Sequence, residues 1–417
     1  MNQKPPPKIP MSSPDLTDSE RATVRAALES AGVTEPDLQV VIKILEGPNL
    51  SMGPKVPEFE KLFCDYTGAK YAIAVNSGTA GLHLCVRAAG IAAGDVVITT
   101  PFSFVASANV MLFEKAVPVF VDVDARTGNI DPALVAAAAR DLVTGGENAR
   151  KWLPRKGSEP NRPLKALLPV DVFGQPADLD ALSVIAREFD LKVIEDSCEA
   201  LGSEYKGRKA GRMGDYGVFA FYPNKQITTG EGGVIITDDE EAAQFMRALR
   251  NQGRASGDTW LQHTHLGYNY RMDEMSAALG VAQMARLEEL LKKREQVAAW
   301  YDERLAEIPE VELYTVEPFT TRMSWFVYVV KFGKNIDRDV LAARLEARGI
   351  PVRTYFLPIH LQPYMVERFG YLPGDFPVAE DLGRRGLALP FSSVMSEGMI
   401  EQVCRMIREE LITDKHR

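Results

Sequence analysis

Short apolar runs recur along the first two-thirds of the chain and set its reading. They are Ala72–Val75, Val96–Thr99, Val117–Val121, Leu167–Val172, Leu191–Glu195, Tyr216–Phe221 and Val234–Thr237. Near-continuous apolar runs of this length predict parallel strands buried on both faces. Most are followed by a stretch with helical spacing, such as Thr79–Ala89, Pro132–Leu142 and Asp178–Glu188. That alternation predicts an α/β domain with helices on both faces of a mostly parallel sheet. Ligands of such sheets bind at the carboxyl ends of the strands. Asn76, Pro101, Asp171, Asp196 and Pro223 stand at or just past those ends, so they are expected to converge.

The pattern changes after Arg271. A helical repeat (Met275, Leu279, Ala282, Leu287, Leu291) predicts one long helix from Asp273 to about Leu305, with charges on its other face. A strand (Trp325–Val330), a helix (Arg338–Arg348), a strand (Pro351–Phe356) and a helix (Glu397–Ile412) follow. This predicts a smaller α+β domain over 286–417, after a large domain over 9–285. Residues 1–8, Pro-rich and polar, predict a flexible arm with no signal-peptide core. Val143–Pro163, polar and rich in Gly, Pro, Arg and Lys, predicts an inserted surface loop.

Composition narrows the classes. With 417 residues, 46% hydrophobic and 25% charged, the chain reads as a two-domain globular enzyme. A net charge of −9 argues against nucleic acid, which needs a basic face. No run approaches the ~18 apolar residues of a membrane span. The four cysteines (Cys64, Cys85, Cys198, Cys404) form no CxxC pair, and the five histidines show no metal-ligand spacing. The reading is a cytoplasmic protein without a metal site, its cysteines acting as small hydrophobes in a reducing compartment.

The candidate chemistry lies in Ala220-Phe-Tyr-Pro-Asn-Lys225-Gln-Ile-Thr-Thr-Gly-Glu-Gly-Gly233 and in Val193-Ile-Glu-Asp196. A lysine and a carboxylate, each at the mouth of a buried strand, suit a pyridoxal phosphate enzyme. The amine bonds the aldehyde, and the carboxylate keeps the pyridine nitrogen protonated. Taken alone, the same pair also reads as a solvated surface lysine and a helix cap. Asn76-Ser-Gly-Thr79 joins a strand to an apolar helix, where free N–H groups favour a phosphate; a plain Ser/Thr cap is the other reading. Phe104 suits a flat ring or the core, and Asn269 and Arg271 suit a phosphate or a helix cap. There is no GxxxxGK or GxGxxG sequence, which weighs against nucleotide hydrolysis and hydride transfer.

Together, the segments resemble the DegT-type sugar aminotransferases, fold-type I pyridoxal phosphate enzymes. The match runs in the family's order from about Ile9 to Val403. It includes Ser13-Pro-Asp-Leu, Leu50-Ser-Met-Gly-Pro54, Asn76-Ser-Gly-Thr-Ala80, Pro118-Val-Phe-Val-Asp-Val123 and Phe173-Gly-Gln-Pro-Ala-Asp178. It continues through Glu195-Asp196, Asn224-Lys225, Gly230-Glu-Gly-Gly233, Gly267-Tyr-Asn-Tyr-Arg-Met272 and Pro358-Ile-His360. The resemblance implies that Lys225 is the Schiff-base lysine and proton carrier and that Asp196 is the partner of the pyridinium nitrogen. It implies that Phe104 stacks on the ring and that Ser77, Gly78 and Thr79 form the phosphate turn. Asn269 matches a residue reaching the partner subunit's cofactor phosphate, so a homodimer with shared sites is implied. Tyr355, His360 and Arg271 are the substrate-side candidates.

Several positions depart from the family's pattern. Ala220 replaces a frequent phosphate-binding serine, and Glu199 replaces a glutamine near the cofactor's phenolic oxygen. Asp171 replaces a common histidine, and Ala26–Leu45 carries an apparent extension. Lys225 itself argues against the dehydratase branch, which has histidine there. The implied reaction transfers an amino group from an amino acid, glutamate by resemblance, to a nucleotide-linked 4-keto-6-deoxyhexose. The tract Phe221-Tyr-Pro-Asn-Lys225-Gln-Ile-Thr-Thr-Gly most resembles the perosamine-synthase type. A cyclitol ketone, aminohydroxybenzoate formation and a non-enzymatic regulatory relative are the alternatives.

Overall fold

The computed structural model describes residues 16–30, 33–47 and 49–415, so the arm at 1–8 and the start of the Ser13 segment lie outside the described residues. A seven-stranded sheet forms the larger part. Its strands lie in the order Tyr71–Val75, Gly233–Thr237, Tyr216–Ala220, Lys192–Asp196, Leu164–Leu168, Val96–Thr99, Val117–Phe120. Helices cover both faces, and strand residues such as Ile73, Val97, Ile194 and Val218 are buried.

One expected parallel strand runs the other way. Gly233–Thr237 is antiparallel to both its neighbours, Tyr71–Val75 and Tyr216–Ala220. A parallel return needs a crossover of a dozen or more residues, usually helical. The 221–232 segment forms no helix, so the chain doubles back and leaves Lys225 in the turn. The expected strand Leu167–Val172 is also shifted, to Leu164–Leu168. Pro169 follows with no N–H for the ladder, and Val172–Gly174 forms a 3₁₀ turn.

Two N-terminal helices, Asp18–Ser30 and Glu35–Leu45, occupy the extension, and the second packs on the helix Glu274–Ala285. The expected single long helix is two, Glu274–Ala285 and Leu287–Leu305. Arg286 leaves helical geometry between them (φ −113°, ψ 7°), and its guanidinium lies 3.5 Å from the buried Asp37. A one-residue break hardly disturbs a 3.6-residue repeat, so the apolar pattern could not reveal it.

A second, antiparallel sheet pairs Val311–Leu313, Tyr328–Phe332 and Gly386–Leu389. Leu287–Leu305, Arg338–Ala347 and Glu397–Lys415 cover it through Tyr301, Leu345 and Ile407. The expected strand over Pro351–Phe356 does not form; only Arg353 bridges Ala388 before the chain turns toward the large sheet. The expected strand Trp325–Val330 starts later, at Tyr328. Both displaced stretches contribute side chains to the cleft described below.

The Val143–Pro163 insertion is more ordered than a surface loop. It holds a short helix, Gly146–Arg150, and buries Ala149 and Leu153. Trp152 Nε1 donates to Asp141 at 2.8 Å, and Arg155 binds Asp375 at 2.7 Å. Among the described residues, no helix is long and apolar enough to cross a membrane.

Candidate active site

A cleft of about 530 Å³ opens at the carboxyl ends of the parallel strands. Five of its walls come from separate parts of the chain. The first helix turn after Tyr71–Val75 gives Ser77, Gly78 and Thr79. The segment after Val96–Thr99 gives Ser103 and Phe104, and the end of Lys192–Asp196 gives Asp196, Cys198 and Glu199. The hairpin turn gives Tyr222, Asn224 and Lys225, and the segments flanking the second sheet give Phe326, Tyr355 and Phe356.

Lys225 is nearly enclosed, with 12% of its side chain exposed. Its Nζ stands 3.8 Å from the Phe326 ring centroid and 3.7 Å from Glu199 Oε1. The other Glu199 oxygen accepts the Phe173 N–H at 2.9 Å, so this carboxylate faces the lysine instead of capping its own turn. Burial pushes the Glu199 carboxyl above its ordinary range, while Lys225 and the Phe173 amide pull it back. Phe173 takes up a left-handed backbone (φ 58°) beside Gly174, where any Cβ would strike the Ser324 carbonyl.

Asp196 is 5% exposed and is held from behind. Its Oδ2 accepts from Ser107 Oγ at 2.7 Å, and Ser107 in turn meets Ser103 Oγ at 2.9 Å. Its Oδ1 has only a long contact, 3.3 Å, from the Cys198 N–H. One oxygen is thus anchored, and the other retains acceptor capacity toward the cleft. Burial raises the Cys198 thiol well above its ordinary range, which disfavours the thiolate.

The helix Gly78–Ala88 starts at the cleft. Ser77 caps it by accepting from the Ala80 N–H at 3.1 Å. The first-turn amides of Gly78 and Thr79 have no intrahelical acceptor and lie on the cleft wall. A Cβ on Gly78 would come within 2.7 Å of Ala220 Cβ and 2.9 Å of Cys198 Sγ, so the turn approaches the sheet only as glycine.

The family model "DegT/DnrJ/EryC1/StrS aminotransferase family" matches residues 32–408. The chain belongs to this aminotransferase family. It is 36% identical to the GDP-perosamine synthase of Caulobacter vibrioides, over 97% of this chain and 99% of that protein. It is also 36% identical to the spore coat polysaccharide biosynthesis protein SpsC of Bacillus subtilis, over 90% and 95% of the two chains. The crystal structure of S. venezuelae DesV superposes with a TM-score of 0.80 at 31% identity, covering 93% of this chain and 96% of that one. The protein is therefore an aminotransferase of the pyridoxal phosphate-dependent, fold-type I class.

The residues present fit that cofactor. Phe104 is 63% exposed although it lines the cleft, an apolar face of the size a pyridine ring covers. A lysine, a carboxylate with acceptor capacity and a helix N-terminus stand around the same space.

Two substrate-side candidates, His360 and Arg271, do not line this cleft. His360 is fully buried, with Nε2 3.0 Å from Glu380 and its ring against Phe376, so it does not reach the cleft. Arg271 donates to Asn251 Oδ1 at 3.0 Å and does not line the cleft. Asn269 is exposed, on a segment tied to the phosphate-turn strand by Asn76 N to Tyr270 O at 2.9 Å. Asp171 lies behind the sheet end, bonded to Ser197 Oγ at 2.6 Å, and burial raises it well above the ordinary range. Sequence reasoning missed Phe326, Ser107 and Cys198 as parts of the site. Ser107 alone had a signal, lying three residues after Phe104 on the same turn.

Proposed function

We propose that this aminotransferase moves an amino group from glutamate to a nucleotide-linked 4-keto-6-deoxyhexose, giving 2-oxoglutarate and the amino sugar. The observation that carries the chemistry is the convergence of Lys225, Asp196 and the Ser77–Thr79 turn in one cleft of a family member. The sugar assignment rests on likeness to the GDP-perosamine synthase over nearly the whole of both chains.

Bound pyridoxal phosphate supplies an aldehyde that takes up the amino group and a ring that accepts electrons as a C–H bond breaks. Lys225 would hold that aldehyde at rest and, once free, would serve as the group that takes up and returns the substrate's proton. Asp196, fixed by Ser107, would keep the ring nitrogen protonated. The Gly78 and Thr79 amides would hold the phosphate. Phe104 would lie against one ring face, and Phe326 and Tyr355 would exclude water near Lys225. Glu199, 3.7 Å from Lys225 Nζ, would donate from a protonated carboxyl to the cofactor's phenolic oxygen. Amino and keto groups simply change places, so no outside oxidant is needed.

A coupled assay for 2-oxoglutarate, run with glutamate across keto sugar nucleotides and a cyclitol ketone, tests this. The expected result is turnover with a 4-keto-6-deoxyhexose nucleotide. Turnover with the cyclitol ketone alone would refute the sugar assignment.

A further inference from the structure

Arg294 faces inward from the helix Leu287–Leu305 and is 5% exposed. Its Nη2 donates to the carbonyls of Lys225 (2.8 Å) and Asn224 (3.2 Å). Its Nη1 donates to the carbonyls of Phe326 (3.1 Å) and Trp325 (3.2 Å). Its Nε is buried with no partner, and among the described residues no carboxylate lies within ion-pair distance. Burial lowers the guanidinium to about 10, so it is charged at neutral pH.

A buried charge without a counter-charge is costly, and here the four carbonyls and the Phe391 ring 5.5 Å from Cζ are what offset that cost. The geometry gives this arrangement a role. The two carbonyl pairs belong to the two segments whose side chains meet in the cleft, where the Lys225 ammonium stands over the Phe326 ring. A planar guanidinium presents its donors in a fixed fork, whereas an ammonium on a flexible stem does not. Gln226 reinforces the same seam, its Nε2 donating to the carbonyl of Glu199 at 2.6 Å and to Ser324 Oγ at 2.7 Å.

We propose that Arg294 is a positioning residue that clamps the Lys225 turn to the Phe326 segment and so fixes where the lysine amine stands. The proposal rests on the reading of Lys225 as the reactive lysine. With the clamp intact, the amine rests 3.8 Å from the Phe326 ring centroid and 3.7 Å from Glu199. Without it, the turn and the segment shift independently, and displacements near 1 Å at a reacting group cost on the order of 10²-fold in rate.

Arg294→Lys and Arg294→Gln, made in the full chain, test this beside Lys225→Ala. Two readouts are taken: steady-state kinetics of the holoenzyme, and the rate at which trinitrobenzenesulfonate labels Lys225 in the apoenzyme, located by peptide mapping. The clamp predicts that both arginine variants fold, that kcat falls about 10²-fold with KM little changed, and that Lys225 is labelled faster than in wild type. Wild-type kcat with a wild-type labelling rate would overturn it. So would a change confined to KM, or loss of folding in both variants, which would make Arg294 a structural support. Turnover by Lys225→Ala is a separate failure, that of the lysine reading itself.

Discussion

Glu199 shows how one side chain in the cleft balances opposing demands. Burial favours its neutral form, and the Lys225 charge 3.7 Å away favours the anion. Burial wins, so its folded pKa lies above the ordinary value of 4.5. An acid with a raised folded pKa contributes stability that is full below its unfolded pKa and is lost as pH rises through the folded value. Replacing it with an amide removes that loss. The melting temperature of the Glu199→Gln apoenzyme, relative to wild type, should therefore improve steadily as pH is raised from about 4.5 toward neutrality. Scanning calorimetry of the two proteins across that range checks the point. Parallel curves would show that Glu199 ionises as freely in the fold as in water.

At the scale of elements, what was legible follows a physical rule. Lys225 and Asp196 stand out because each stands at the mouth of a buried strand, and parallel strands deliver their ends to one edge. The seven strands of the large sheet were legible for the same reason, since buried strands have almost no polar positions. The direction of Gly233–Thr237 was not, because composition says nothing about which way a strand runs. The missing helix between Tyr216–Ala220 and Gly233–Thr237 was the available clue. The segments holding Phe326 and Tyr355 read as strands from their apolar content, yet they leave the ladder to line the cleft. Arg294 was invisible because it acts on backbone carbonyls, which every residue carries. His360 misled because a family match cannot show that a side chain turns inward to a carboxylate.

At the scale of the whole molecule, one exposed apolar loop suits contact with a second copy. Trp260, Leu261 and Leu266 are 80%, 70% and 82% exposed on the loop that leads to Asn269. Apolar groups this bare, clustered on one loop, suit a protein interface. We infer a dimer in which Asn269 reaches the partner's cofactor phosphate. Lys225→Ala and Asn269→Asp, each inactive alone, should partly restore activity when mixed as dimers, because one composite site regains both residues. A fully active species that sediments as a monomer would refute the shared site.

The account turns on a single covalent contact at Lys225, and borohydride reduction of the wild-type holoenzyme reads it directly. Reduction fixes the cofactor to whichever amine holds it, and mass mapping of the digested protein names that amine. The expected result is a reduced cofactor on the peptide containing Asn224-Lys225-Gln226, and its absence from Lys225→Ala. A cofactor fixed on any other lysine would contradict the assignment of the site.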